Sequence, residues 1–94
     1  MRATIRPDFF LQEIAGEKIL MGGGEQINFS KVLMLNNTSA FIIEELQRAG
    51  GAVAAEDMAR RVAGRFEVDV TEAQADVEEF FRSLARQQVA DLSD

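Results

Sequence analysis

Apolar residues follow two different periods along this chain, and the change between them lies near residue 36. From Phe9 to Leu35, apolar positions come in short runs separated by glycine and polar residues, as in the strands of a half-buried sheet. Beyond that point apolar residues recur every three or four positions, which is the spacing of an amphipathic helix. The pattern therefore predicts strands in the first part of the chain and helices in the second.

Three strands are predicted before the change of period. They are Phe9–Ile14, Lys18–Met21 and Gln26–Leu35. Turns are expected at Ala15–Glu17 and at Gly22–Gly24, since consecutive glycines adopt positive φ freely. The triple glycine is predicted to form a hairpin turn rather than a phosphate-binding loop, because such a loop opens a helix and a strand is predicted to follow here. In the third strand the alternation breaks at Lys31, which predicts a bulge or a change of face there.

Three helices are predicted after the change of period near residue 36. Residues Asn37–Ser39 have side chains that bond to nearby backbone groups, so one of them is expected to cap the first helix. This helix ends at Gly50–Gly51, and the second covers about Ala55–Phe66. The third begins at Thr71, where Gln74 completes a capping box. The expected fold is one α+β domain over residues 1–94, with a three-stranded antiparallel sheet followed by three helices, similar to a winged helix-turn-helix.

The inventory of side chains argues against catalysis. The 94 residues include no His, Cys, Tyr or Trp, so the usual general base and the usual nucleophile are missing. Carboxylates, Lys18 and Lys31 remain, without a thiolate for zinc or the spacing of a calcium loop. We therefore expect a protein that is not an enzyme and that holds no cofactor and no metal.

Charge and hydropathy bear on partners and location. The net charge of -6 argues against nucleic acid, whose binders usually present a basic face. Apolar runs such as Val32–Leu35 are far shorter than the roughly 20 residues of a membrane span. Met1–Arg2 is not followed by the long apolar segment of a secretory signal. The expected location is the cytoplasm, with no nucleic-acid or membrane partner.

The second and third predicted helices nevertheless resemble a helix-turn-helix, which leaves an alternative function open. Acidic side chains on the third helix would repel DNA phosphates, and they outnumber the basic ones; they are Glu72, Asp76, Glu78 and Glu79, against Arg82 and Arg86. The second helix carries a basic cluster, which is either a DNA contact or a solvated helix face: Arg60, Arg61 and Arg65. The alternative is an acidic winged-helix regulator or a protein–protein adaptor.

Phe80 and the third strand each have two readings. Phe80 lies at the edge of an apolar stripe, so it belongs either to the core or to the wall of a groove. Its neighbours on that side of the helix are Asp76, Ser83 and Gln87. The third strand would form a free edge of a three-strand meander. Lys31 then either protects this edge from unwanted pairing or lies on an edge that accepts an extended peptide.

Four segments in order resemble the PqqD-like family, small proteins of pyrroloquinoline quinone biosynthesis and related peptide-modifying pathways, also called the RiPP precursor peptide recognition element. The segments are GEKILM (16–21), LNNTSAFIIEEL (35–46), VAAEDMARRVAGRFEV (53–68) and EAQADVEEFFRSL (72–84). The resemblance extends from Phe9 to about Leu92. One departure is Ile43, where many members have Trp, and it leaves that position apolar.

The resemblance implies a winged-helix-like, non-catalytic peptide chaperone. Such a protein binds the leader segment of a ribosomally made precursor peptide and presents it to a modifying enzyme, often a radical S-adenosylmethionine enzyme. The leader is expected to add as a strand to the third strand, beside the third helix, and Lys31 suits an acidic leader. The expected peptide-binding residues are Asn28, Phe29, Ser30, Lys31, Val32, Leu33, Asp76, Phe80, Ser83 and Gln87.

Overall fold

A computed structural model describes residues 1–22 and 32–94, together with the backbone of Lys31. The helices and strands are β1 (Arg2–Ile5), β2 (Phe9–Ile14), β3 (Glu17–Gly22), β4 (Lys31–Leu35), α1 (Asn37–Ala49), β5 (Val53–Ala54), α2 (Ala55–Phe66), α3 (Val70–Arg86) and β6 (Ala90–Ser93). Strands β2, β3 and β4 form an antiparallel sheet in that order, and three helices follow. The predicted α+β fold class is thereby confirmed.

A second sheet, with the order β5-β1-β6, was not predicted. Strands β1 and β6 pair from Arg2↔Ser93 to Ile5↔Ala90, so the two ends of the chain lie side by side. Beside them Arg6 Nη2 donates to Asp91 Oδ1 at 2.9 Å. This hydrogen bond raises the pKa of the Arg6 guanidinium above its ordinary value.

The predicted turn at the triple glycine is partly wrong, because Gly22 is the last residue of β3. Its φ is 139°, and a Cβ at this position would lie 2.2 Å from Asp8 O. Glycine is needed here for the close approach of two backbones rather than for a tight turn. Gly23 and Gly24, which complete the predicted turn, lie outside the described residues.

Strand β4 runs without interruption from Lys31, its first described residue, to Leu35. Its pairs with β3 run consecutively from Gly22↔Lys31 to Lys18↔Leu35, so the bulge expected at Lys31 is absent from residues 31–35. Val32 and Met34 are exposed, whereas Leu33 and Leu35 pack against the core. The period of two therefore persists, and it was hidden because the outward positions are also apolar.

The cap of α1 is Asn36, not one of the residues Asn37–Ser39. The Asn36 side chain accepts a hydrogen bond from Ser39 N at 2.7 Å, and its backbone is extended, with φ -85° and ψ -178°. Residues 37–39 already belong to the helix, so their side chains cannot occupy the capping position. The predicted end is confirmed, because Gly50 adopts the left-handed conformation with φ 66°.

The cap of α3 also differs from the prediction. Asp69 Oδ2 accepts from Thr71 N at 3.1 Å and from Glu72 N at 3.3 Å, so Asp69 replaces the expected capping box. Gln74 instead points along the helix and donates to Glu78 Oε2 at 3.3 Å. A carboxylate at this end of the helix is favoured by the helix dipole as well as by the two N–H groups.

Both sheets and all three helices contribute to one cluster of buried apolar side chains. The apolar faces of α2 and α3 are buried, with Ala55, Met58, Ala59 and Val62 on α2, and Ala73, Val77, Phe81 and Leu84 on α3. Ile43, where many family members have Trp, is fully buried. Burying one such aliphatic side chain stabilises the fold by about 1.5–3 kcal/mol.

Candidate functional site

The pattern of hydrogen bonds in the β2–β3–β4 sheet determines which backbone groups of β4 point outward. The turn between β2 and β3 consists of Ala15 (φ 53°) and Gly16 (φ 83°), as in a two-residue type I′ turn. In such a hairpin the flanking residues, Ile14 and Glu17, form a hydrogen-bonded pair. Bonded and non-bonded pairs then alternate along the two strands.

This alternation extends across β3 to β4. Groups of β3 that do not face β2 face β4, so Leu20↔Leu33 is a bonded pair and Met21↔Val32 is not. The N–H and C=O groups of Val32 and Met34 therefore point away from β3. Strand β4 is an edge strand, and no backbone bond outside the helices and sheets engages these groups within residues 1–22 and 31–94.

The opposite edge of the same sheet supports this assignment. Phe9 pairs with Gly22, and the alternation directs its carbonyl away from β3. Gln47 Nε2 of α1 donates to that oxygen at 3.2 Å. The outer edge of β2 is thus partly covered by α1, whereas no hydrogen bond of this kind reaches the outer edge of β4 from residues 1–22 or 32–94.

The structure describes three of the six predicted strand residues. Val32 is 56% exposed, Leu33 packs against the core, and the backbone of Lys31 belongs to β4. Asn28, Phe29 and Ser30 lie outside the described residues. The edge of β4 at Val32 and Met34 is therefore the part of the predicted strand site that the geometry defines.

The four predicted residues of α3 form one stripe along the helix, called here the α3 stripe: Asp76, Phe80, Ser83 and Gln87. Phe80 is half-buried and packs against the core, and its role as the wall of a groove stays a prediction. Gln87 Nε2 donates to Ser83 Oγ at 3.0 Å, which fixes the amide. Asp76 is exposed and borders a cavity at the start of the helix.

This cavity, called here the helix-junction cavity, has a volume of about 130 Å³. Its lining comes from α1, α2 and α3 and from the turn between α2 and α3: Thr38, Ile42, Val62, Phe66, Val68, Glu72, Ala73, Asp76 and Val77. The Phe66 ring meets the Phe41 ring edge to face at 5.6 Å between centroids. Glu67, at φ 56°, ends α2, and Val68 N donates to Ala63 O at 3.3 Å, which brings Val68 to the cavity.

Sequence reasoning missed the helix-junction cavity. A signal was present in Val68, which lies in the connection between α2 and α3 and stays 45% exposed. Apolar side chains are unusual in a short connection between helices, because such segments normally face water. The periodicity of α2 and α3 gives no such signal, since the same residues line the cavity and form the core.

The arginines of the helix-turn-helix are engaged with groups of the protein itself. Arg82 lies 3.8 Å from Glu78 and from Glu79, and Arg86 lies 3.3 Å from Glu79. On α2, Arg60 pairs with Asp57, Arg61 lies 3.2 Å from Glu45, and Arg65 stacks over the Phe66 ring. The predicted basic cluster of α2 is therefore a set of local contacts on the surface of the helix.

Membrane spans and metal sites can be assessed for the described part of the chain. No helix there has the length and apolar character needed to cross a membrane. Nor do those residues bring together three acidic side chains in a group able to hold a metal ion.

Comparison with known proteins identifies the family. A family model described as coenzyme PQQ synthesis protein D (PqqD) matches residues 11–90. The chain belongs to the PqqD family. The match covers most of the chain and confirms the resemblance seen in its four segments. A search of the curated proteins finds no match.

Solved structures share the fold of this PqqD-family chain. Lasso peptide synthetase B1 complexed with the leader peptide matches with a TM-score of 0.71 and 22% identity, over 96% of this chain and 98% of that one. TbiB1 in complex with the TbiA(beta) leader peptide has a TM-score of 0.75 and 17% identity, over 97% and 99% of the two chains.

A third structure is the PqqD truncation of Methylobacterium extorquens PqqCD, a functional, stand-alone RiPP recognition element studied by NMR in solution. It matches with a TM-score of 0.71 and 13% identity, over 97% of this chain and 89% of that one. At these identities the likeness concerns the fold, which is that of PqqD across nearly the whole chain.

Proposed function

We propose that this PqqD-family protein binds the leader segment of a ribosomally synthesised precursor peptide and presents it to a modifying enzyme. The observation that carries the proposal is the outer edge of β4, where Val32 and Met34 direct N–H and C=O groups outward. An extended peptide aligned with β4 satisfies these groups without requiring a particular side-chain sequence. The leader-peptide complexes of two proteins with the same fold support this reading.

Specificity comes from side chains rather than from the backbone bonds. Side chains of the added strand alternate between its two faces, so every second one points to the side of the sheet that carries Leu33 and the core. We propose that these side chains meet the α3 stripe, where Phe80 offers a half-buried aromatic surface together with polar groups. We assign the ten predicted residues, from Asn28 to Leu33 and along the α3 stripe, to this site.

The protein itself contributes binding and no catalytic step. In this proposal the whole chain, residues 1–94, is one recognition domain, in keeping with the single core shared by both sheets. The chemistry belongs to the partner, for which we propose a radical S-adenosylmethionine enzyme or another modifying enzyme. We expect both proteins to meet in the cytoplasm, where the precursor is made.

An exposed apolar surface supports the existence of a protein partner. Opposite residues of an antiparallel sheet share a face, and the face turned away from the core is called here the outer sheet face. Its apolar side chains are Phe10, Ile14, Ile19, Met21, Val32 and Met34. A leader strand on β4 extends this face by one strand, so an enzyme docked there contacts the leader directly. Large exposed apolar patches of this kind mark interaction sites.

The test of the proposal is a proline substitution at the edge of β4. Val32→Pro removes one outward N–H group, and the strand residue before it already has the extended backbone that proline requires. Losing one backbone hydrogen bond to the peptide lowers the binding free energy by about 1 kcal/mol, which weakens leader binding roughly fivefold to tenfold. The measurement is calorimetric titration with the leader segment of the precursor encoded beside the gene.

Two control variants show whether a loss of affinity comes from the missing N–H at the edge of β4, from damage to the fold or from the missing Val32 side chain. Glu13→Pro removes an outward N–H from the opposite edge of the same sheet, where Glu13↔Lys18 is a non-bonded pair, and it should leave the affinity unchanged. Val32→Ala keeps the N–H group and should retain most of the affinity. Equal losses for Val32→Pro and Glu13→Pro would contradict strand addition at β4.

A further inference from the structure

The helix-junction cavity matches the size of one side chain. Its volume of about 130 Å³ is close to that of engineered cavities of about 150 Å³ that bind benzene. Ile42, Val62 and Val77 supply an apolar lining that is buried to 3% exposure or less. The Phe66 wall is fixed by the Phe41 ring. The space is therefore close in size to one aromatic ring or one branched aliphatic group, and its floor consists of these buried side chains.

The rim of the cavity on α3 is acidic. Glu72 and Asp76 lie one turn apart and line the cavity, and neither has an ion pair among the residues described. The Asp69 carboxylate caps the same end of α3. Glu72 also complements the positive end of the helix dipole, but Asp76, in the second turn, lies beyond the reach of that interaction.

The summed positive charge near the cavity is smaller than the summed negative charge of the three carboxylates, Asp69, Glu72 and Asp76. The first turns of α1 and α3 contribute about half a unit charge each, and the last turn of α2 contributes about half a negative charge. Among the residues that the structure describes, the cation beside the cavity is Arg65, whose guanidinium carbon lies 5.0 Å from the centroid of the Phe66 ring. The rim therefore keeps an excess of negative charge and favours a cation.

We propose that the helix-junction cavity holds one apolar side chain of the bound peptide, with a lysine or arginine of that peptide facing Glu72 and Asp76. Thr38 of the cavity follows the last residue of β4 by only three positions, so a strand aligned with β4 reaches the cavity at that end. The inference rests on the proposed function for the identity of the ligand. It adds an anchor and a charge preference that the backbone bonds along β4 do not supply.

Two small molecules test the cavity without any knowledge of the leader. 2-Phenylethylammonium and 3-phenylpropionate carry the same ring with opposite charges. In titrations of methyl-labelled protein followed by NMR, 2-phenylethylammonium should give saturable shifts at Ile42, Val62 and Val77. Its affinity should exceed that of 3-phenylpropionate by about threefold, the strength of a partly exposed ion pair. Absence of saturable shifts from both probes overturns the cavity as a site, and equal or reversed affinities overturn the charge preference.

Matched variants test whether the charge preference comes from Glu72 and Asp76 and whether Val68 contributes to binding of the probes. Glu72→Gln with Asp76→Asn should abolish the difference between the probes, whereas Glu56→Gln, in the first turn of α2 outside the cavity, should preserve it. Val68→Ala should weaken both probes, because Val68 lines the cavity. Val70→Ala, an equally exposed valine outside the lining, should have no effect. A loss of the difference in Glu56→Gln as well would overturn the assignment to the rim.

Competition connects the cavity to the peptide. A leader peptide that occupies both β4 and the cavity displaces 2-phenylethylammonium in the wild-type protein. A peptide that protects the β4 edge but leaves the probe in place overturns the anchor while the proposed function stands. A probe that binds with the expected charge preference to a protein that binds no leader peptide at β4 overturns the proposed function and removes the peptide ligand from the inference.

Discussion

Single residues set the ends of the elements that carry the site. Asn36 lies between β4 and α1. Its backbone is still extended, as in the strand, and its side chain caps the helix by accepting a hydrogen bond from the Ser39 N–H. Gly22 lets the end of β3 approach the Asp8 backbone. The sequence located the change from strand to helix near residue 36, but it assigned the cap to residues 37–39 and a turn to Gly22, because both choices depend on backbone angles that composition does not encode.

The cap of α1 gives a prediction about stability. Asn36→Ala removes the hydrogen bond to Ser39 N and should lower the free energy of unfolding by about 1 kcal/mol. Asn37→Ala, at an exposed helical position, should change it by a few tenths at most. Urea unfolding of the two variants measures the difference, and a greater loss for Asn37→Ala would show that the helix begins one residue later.

Two glycines should respond to alanine in opposite directions. Gly22→Ala places a methyl group against Asp8 O at a φ that suits only glycine, so we expect a loss of about 2 kcal/mol or more. Gly64 lies inside α2 with open space where a Cβ would lie, and Gly64→Ala should stabilise the protein by about 0.5–1 kcal/mol. Thermal unfolding distinguishes the two, and a neutral Gly22→Ala would contradict the close approach.

At the scale of elements, the charges of α3 bear on the two hypotheses that the sequence left open. Its arginines pair with glutamates of the same helix, and Glu72 and Asp76 face outward without a cationic partner in the described structure. A recognition helix presents the opposite balance of charge to phosphates. The acidic face of α3 thus suits a peptide better than a duplex.

The charge of α3 predicts the outcome of a DNA titration. The protein should show no binding to random duplex DNA at about 50 mM salt in fluorescence anisotropy, because each phosphate contact needs a free cation. Neutralising the helix by Glu78→Gln with Glu79→Gln frees both arginines and serves as the sensitised control. Salt-dependent binding of the wild-type protein to DNA at micromolar or lower concentrations would favour the regulator instead.

At the scale of the whole molecule, long-range pairing marks the limit of what the sequence predicts. The strands of the β2–β3–β4 sheet are neighbours along the chain and carry turn signals, so they were found. Strands β1 and β6 have four residues each and pair across nearly the full length of the chain, so no local pattern relates them. The helix-junction cavity cannot be predicted from local sequence patterns either, because it forms only when the three helices pack together.

The shared core predicts that the two sheets unfold together. Both contribute to one buried cluster, so neither can lose its packing without exposing side chains of the other. Urea transitions followed by NMR at Ala3 in β1 and at Leu20 in β3 should have the same midpoint. Midpoints that differ by more than the experimental error would divide the chain into two units and contradict the single recognition domain.

The central claim is that the leader adds as a strand to β4, and amide hydrogen exchange tests it residue by residue. In the free protein Leu33 and Leu35 should exchange slowly, because they are bonded to β3, whereas Val32 and Met34 should exchange rapidly. Saturating leader peptide should slow Val32 and Met34 by at least about tenfold and leave the Glu13 amide, on the opposite edge, unchanged. Rapid exchange of Val32 and Met34 in the saturated complex would contradict strand addition at this edge.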